Sequence, residues 1–189
     1  MKKFLMFFVS VSMIFGTVNG FAAANMDAFS LSPERNVSAK AAAYKNSGFT
    51  LKDQNDNAYA VKFPRDKVTV LIFGDREGAE QIEGWVRPIY NQYGNRTDVF
   101  GIAELSAVPS LARGIVRRII KRKTKYSVLL DWSGSVSKAY GYETGKATVV
   151  VIDKNGGVIA KSSGAANHGK LQGIYGQINR GLQLIKKSE

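Results

Sequence analysis

The run Val68-Thr69-Val70-Leu71-Ile72-Phe73 constrains this chain more than any other stretch. It is apolar, rich in β-branched residues and too short to span a membrane, which predicts a strand buried on both faces. A polar turn, Gly74-Asp75-Arg76-Glu77-Gly78, comes next. Beyond it Ile82, Trp85, Val86, Ile89 and Tyr93 recur at helical spacing and form one apolar stripe. Pro88 inside that stripe predicts a kink. Strand, sharp turn and helix together bring the unpaired N–H groups of a helix start to the turn, a common address for chemistry in α/β proteins.

The remaining elements fall into order around this unit. Phe49-Thr50-Leu51 and Tyr59-Ala60-Val61 flank the turn-rich Asp53-Gln54-Asn55-Asp56-Asn57 and predict a β-hairpin, which Pro64 ends. A strand is expected over 98–103, then a helix over 109–123 with Pro109 in its first turn. In that helix Ala112, Ile115, Val116, Ile119 and Ile120 share one arc, which is expected to be buried. Tyr126 to Leu130 reads as another buried strand, followed by a short helix over 135–140 and a strand at Thr148 to Ile152. Asn155-Gly156 signals a hairpin into Val158-Ile159-Ala160. In the last helix Leu171, Tyr175, Ile178, Leu182 and Ile185 step along one stripe, with Ile174 beside it. The sum is a central mixed β-sheet with helices on both faces, of the α/β class.

Composition narrows the chemistry. There are no cysteines among the 189 residues. Disulfides, thiolate nucleophiles and Cys-ligated metal sites are therefore impossible. Lys2 and Lys3, the apolar Phe4 to Phe15 and the Ala22-Ala23-Ala24 site form the three-part pattern of an export signal. The expected domains are a signal peptide over 1–24, a flexible lead-in over 25–46 and one domain over 47–189. The mature chain is expected to be periplasmic or secreted, with no transmembrane span. Loss of Lys2 and Lys3 takes the formal charge from +12 to +10.

That charge concentrates in one place. Arg113, Arg117, Arg118, Lys121, Arg122, Lys123 and Lys125 lie close together, on the arc opposite the apolar one or just past it. Such a face meets water, or else an acidic protein or an anionic surface. Nucleic acid is not expected, because an exported protein rarely meets it and no aromatics interleave for base stacking. The turn Asp75, Arg76, Glu77, Gly78 also has two readings. Its backbone N–H groups and Arg76 could hold an anion or a partner's carboxylate. Alternatively Asp75 and Glu77 are capping charges that complement the helix dipole. Asp131 and Asp153 sit in ordinary Gly-containing turns, and the single histidine, His168, leads into the last helix with Asn167 as its cap. No metal or cofactor is expected from this set.

Three stretches resemble one known group. Phe49-Thr50-Leu51-Lys52-Asp53, the Val70-Leu71-Ile72-Phe73 unit with its Pro-containing helix, and Ser127 to Asp131 through Ala139-Tyr140-Gly141 and Val151 to Gly156 are similar to the redoxin and peroxiredoxin branch of the thioredoxin-like superfamily. The resemblance implies a thioredoxin-like fold with an N-terminal β-hairpin. It also implies a thiolate in the turn before the helix and a proline, usually cis, before the penultimate strand. Here the turn is Asp75-Arg76-Glu77-Gly78, and Lys146-Ala147-Thr148 stand at the proline position. The expectation is an exported redoxin-like domain without thiol chemistry, acting as a binding or accessory protein toward a protein, a peptide or an anionic surface. The alternatives are a cysteine-independent enzyme using Asp75, Glu77, Asp131 or His168, and a peripheral membrane protein acting through the basic helix over 109–123.

Overall fold

The computed structural model describes residues 48–187; the expectations for 1–24 and 25–46 lie outside the described residues. The elements, in chain order, are β1 (Phe49–Asp53), β2 (Ala58–Val61), β3 (Val68–Gly74), α1 (Ala79–Tyr93), β4 (Thr97–Glu104), α2 (Arg113–Lys123), β5 (Val128–Asp131), α3 (Ser135–Ala139), β6 (Thr148–Ile152), β7 (Val158–Ser163) and α4 (His168–Lys186). The strands form one sheet in the order β2-β1-β5-β4-β3-β6-β7. β3 runs parallel to β4 and antiparallel to β6, and all seven of its residues are buried. An uninterrupted apolar run suits that position, because both faces of β3 are covered.

Alternation along β3 divides the core. Val68, Val70 and Ile72 pack with Trp85 and Ile89 of α1 and with Ile174 and Ile178 of α4. Leu71 and Phe73 face the other way, toward Phe49, Leu129, Val136, Tyr140 and Val150. Successive side chains of a strand point to opposite faces, so α1 and α4 cover one side and α3 the other. Full burial of an Ile or Leu of this kind contributes on the order of 2 kcal/mol. Pro88 lies within α1, which continues through it as one helix. In α4 the buried line is Ile174, Ile178 and Gly181, while Leu171, Tyr175, Leu182 and Ile185 are only partly covered.

Both hairpins are set by aspartates. Asp53 is fully buried and accepts the Asn55 N–H (2.7 Å), the Asn57 N–H (3.0 Å) and the Ser127 hydroxyl (3.0 Å). It thereby shapes the β1–β2 turn and ties it to β5. Asp153 accepts the Asn155 and Gly157 N–H groups at 2.9 and 2.7 Å and closes the β6–β7 turn in the same way.

The second crossover helix departs from expectation. A 3₁₀ turn over Ser110–Ala112 comes first, and Pro109 precedes it with an extended ψ of 144°, so Pro109 is outside the helix. No residue of α2 is buried, and Ile115 is 61% exposed. None of Ala112, Ile115, Val116, Ile119 and Ile120 packs against either half of the core. The expected buried arc is therefore not buried. The cause lies in the helix's anchors, which are polar and peripheral. Arg117 pairs with Asp56 of the β1–β2 turn at 2.6 Å, and the Arg113 guanidinium lies 5.5 Å from the centre of the Trp132 ring. Between α1 and the sheet, a groove of about 450 Å³ stays open over β4, lined by Ile82, Val86, Tyr90, Val99, Gly101 and Val128. Gly101 contributes to it because a Cβ there would meet nothing within 4 Å.

Candidate functional site

The turn between β3 and α1 is organised by one carboxylate. Asp75 Oδ1 accepts the N–H groups of Glu77 (3.0 Å) and Gly78 (2.8 Å), and Oδ2 accepts the Gly145 N–H (2.8 Å) from the loop before β6. The Asp75 N–H donates to the Tyr142 hydroxyl at 3.0 Å. One residue of α1 completes the seam: Gln81 accepts the Ala147 N–H through Oε1 (3.1 Å), while its Nε2 approaches the Gly145 carbonyl at 3.4 Å. Gly78 makes the close approach possible, since a Cβ there would lie 2.5 Å from the Lys146 carbonyl carbon.

These bonds set the electrostatics. Burial pushes the Asp75 carboxyl up, but the Gly78 and Gly145 N–H groups, the Tyr142 hydroxyl and the Glu77 N–H outweigh it and hold the group below the ordinary carboxylate value. Burial, followed by the bond to Asp75 and its charge, pushes the Tyr142 hydroxyl well above the ordinary tyrosine range. The pair is an ionised carboxylate beside a protonated phenol. The donors that an anion would use at Glu77 and Gly78 are occupied by the chain's own carboxylate. Outside this seam the turn offers two exposed side chains, Arg76 and Glu77.

Gln81, Tyr142 and Gly145 are parts of this arrangement that the sequence does not announce. Their contacts across the seam span 64 to 70 residues. No local pattern encodes a contact at that range. The Gly141 to Lys146 stretch leads into β6, and Lys146 pairs with Glu143 at 3.0 Å.

The other ionisable groups do not converge. Asp131 is buried and accepts the N–H and hydroxyl of Ser137 at 2.8 and 2.9 Å and the Ser133 hydroxyl at 3.1 Å, capping α3. Asp153 lies beyond the end of β6 that pairs with the start of β3, whereas Asp131 ends β5 beside Glu104, at the opposite end of the strands. His168 is exposed at the first residue of α4, whose N-cap Asn167 accepts the Lys170 N–H at 2.9 Å. None of Asp75, Glu77, Asp131 and His168 forms a side chain to side chain hydrogen bond with another of the four.

The cationic set is distributed over and beyond α2. Arg113 stacks on Trp132 and Arg117 is paired with Asp56, as described above. Arg118, Lys121, Arg122 and Lys125 are exposed and make no ion pair with any described residue, while Lys123 is half-buried.

No protein-family model matches this chain. No curated protein matches its sequence either. Solved structures do. The exposed lipoprotein thioredoxin Etrx1 of Streptococcus pneumoniae strain TIGR4 is 18% identical over 70% of this chain and 98% of its own, with a TM-score of 0.56. A thiol:disulfide interchange protein of the thioredoxin family from Chlorobium tepidum is 17% identical over 72% of this chain and 94% of its own, with a TM-score of 0.50. Within the sheet β3 and β6 are neighbours, with Leu71 opposite Val150, and the Trp85 helix packs on β3. The chain is a cysteine-free protein of the thioredoxin-like fold.

Proposed function

We propose that this protein is an exported, redoxin-like binding or accessory domain that performs no thiol chemistry. The observation that carries the reading is Asp75. It occupies the turn where the resemblance places a thiolate, and its carboxylate bonds that turn to the loop before β6. A seam of hydrogen bonds joins those two loops, so a partner meets the exterior of the turn, at Arg76 and Glu77, or the cationic surface of α2. The export pattern at the N-terminus and the likeness to an exposed lipoprotein thioredoxin support a periplasmic or secreted location. A cysteine-independent enzyme gains no support from Asp75, Glu77, Asp131 and His168, none of which hydrogen-bonds to another of the four side chain to side chain.

Site-specific photo-crosslinking tests this. A photoreactive residue replaces Arg76, Arg122 or, as a control on the exposed side of α4, Gln172 in the full chain, expressed in the cells that make it. The expected result is discrete adducts in the exported fraction from position 76 or 122 and none from 172. Equal background at all three positions overturns the binding reading. N-terminal sequencing of the exported species is expected to start just after Ala24, and an intact Met1 on cytosolic protein overturns export.

A further inference from the structure

We infer that α2 is an interfacial helix that docks this domain on an anionic lipid bilayer, with Leu111 and Ile115 entering the headgroup region. The inference rests on the binding reading above and names the partner of one of its two surfaces.

The geometry points to a bilayer through what α2 leaves uncovered. Leu111 is 96% and Ile115 61% exposed. Ile115, Arg118 and Arg122 are spaced three and four apart, so they follow one line along α2, and Leu111 stands exposed in the 3₁₀ turn just before it. Two apolar tips thus precede two cations, Arg118 and Arg122, flanked by Lys121 and extended by Lys125. Ala112, Val116, Ile119 and Ile120 form the half-covered inner arc. At Gly114 an added Cβ would meet nothing within 4 Å, so no neighbouring element screens this side of the helix.

Charge complementarity selects an anionic occupant. Asp56 engages Arg117 and leaves Arg118, Lys121, Arg122 and Lys125 outside that pair. An acidic protein is the competing occupant, but tight protein partners seat side-chain anchors in pockets. The open groove over β4 takes none of its lining from α2, so the exposed line has no recess of its own. A bilayer needs no recess. It accepts a convex line of apolar tips with cations at headgroup level, each cation strengthening attachment roughly fivefold at an anionic surface.

The experiment is co-sedimentation of the full chain with phosphatidylcholine vesicles, with and without phosphatidylglycerol, at low and high salt. The N-terminal apolar run is common to all variants, so only differences between them are read. Wild type is expected to favour phosphatidylglycerol vesicles and to lose that preference in high salt. Arg118→Glu/Arg122→Glu changes four charge units and is expected to weaken binding by about a hundredfold or more. Leu111→Ser/Ile115→Ser is expected to weaken it about tenfold at unchanged charge. Tryptophan emission from Ile115→Trp is expected to shift to the blue on phosphatidylglycerol vesicles alone. Equal binding by wild type and the charge-reversed variant overturns the inference, as does an Ile115→Trp emission that does not move. Retention on immobilised polyglutamate without vesicle binding also overturns it, and in that case the binding reading stands.

Discussion

The Asp75 carboxylate accepts the Gly145 N–H at 2.8 Å and so joins two loops 70 residues apart in the chain. The same carboxylate closes the turn before α1 by accepting the Glu77 and Gly78 N–H groups. Asp75→Ala removes the acceptor for all three donors, and a half-buried donor without a partner costs roughly 1–3 kcal/mol. Urea denaturation is expected to show a loss of about 2 kcal/mol or more for Asp75→Ala. Asp75→Asn keeps one acceptor oxygen and is expected to lose less. Glu77→Ala, beside it but exposed, is expected to stay within about 0.5 kcal/mol of wild type. Equal effects at 75 and 77 contradict the role assigned to Asp75.

Stability should fall in acid through two named groups. In Asp53 burial pushes the carboxyl up, but the Asn55 N–H, the Asn57 side chain, the Ser127 hydroxyl and the Asn57 N–H together hold it below the ordinary value. Asp75 is held low in the same manner. A carboxyl lowered on folding stabilises the native state above its unfolded pKa of about 3.9, and that contribution is lost as pH falls through the lower folded value. The unfolding free energy is therefore expected to drop below about pH 4, with a shallower drop in Asp53→Asn/Asp75→Asn. A variant as acid-sensitive as wild type assigns the loss to other groups.

Much of this architecture is legible in the sequence because it is written in local signals. The Val68–Phe73 run gives the central strand, Asp53 to Asn57 and Asn155-Gly156 give the two hairpins, and the Trp85 stripe gives the helix on β3. The absence of cysteine removes thiol chemistry without any coordinates. The seam at the turn is not legible, because Asp75, Tyr142, Gly145 and Gln81 meet only once the sheet has formed. The packing of α2 misleads for a related reason. Amphipathic spacing states which residues share an arc, and it does not state whether the sheet beneath offers side chains to meet them. Here β4 offers Gly101 and an open groove instead.

Glycines should divide by what surrounds them. At Gly78 a new Cβ would lie 2.5 Å from the Lys146 carbonyl carbon and 2.9 Å from the Ala147 nitrogen, both backbone atoms in a bonded loop. Gly78→Ala is expected to cost about 1–3 kcal/mol, the range for forced overpacking. At Gly173 and Gly176, on α4, a Cβ would meet nothing within 4 Å. Alanine at either position is expected to stabilise the protein by roughly 0.5–1 kcal/mol through helix propensity. Thermal unfolding of the three single variants checks both signs, and a stabilising Gly78→Ala contradicts the close approach of the two loops.

Two isoleucines separate the structure of the helices from the pattern in their sequence. Both Ile115 and Ile178 lie on apolar stripes, so the pattern gives them the same fate. In the structure Ile178 is fully buried against β3, whereas Ile115 is mostly exposed and belongs to neither half of the core. Ile178→Ala is expected to cost roughly 2–5 kcal/mol, as for a buried large-to-small change. Ile115→Ala is expected to stay within about 0.5 kcal/mol of wild type. Hydrogen exchange gives an independent reading, since a helix with few buried contacts opens at low free energy. The amides of α2 are expected to exchange well before those of α1 and α4. A costly Ile115→Ala, or protection in α2 equal to that in α4, means that α2 rests on the sheet in solution and its apolar line is not available to a partner.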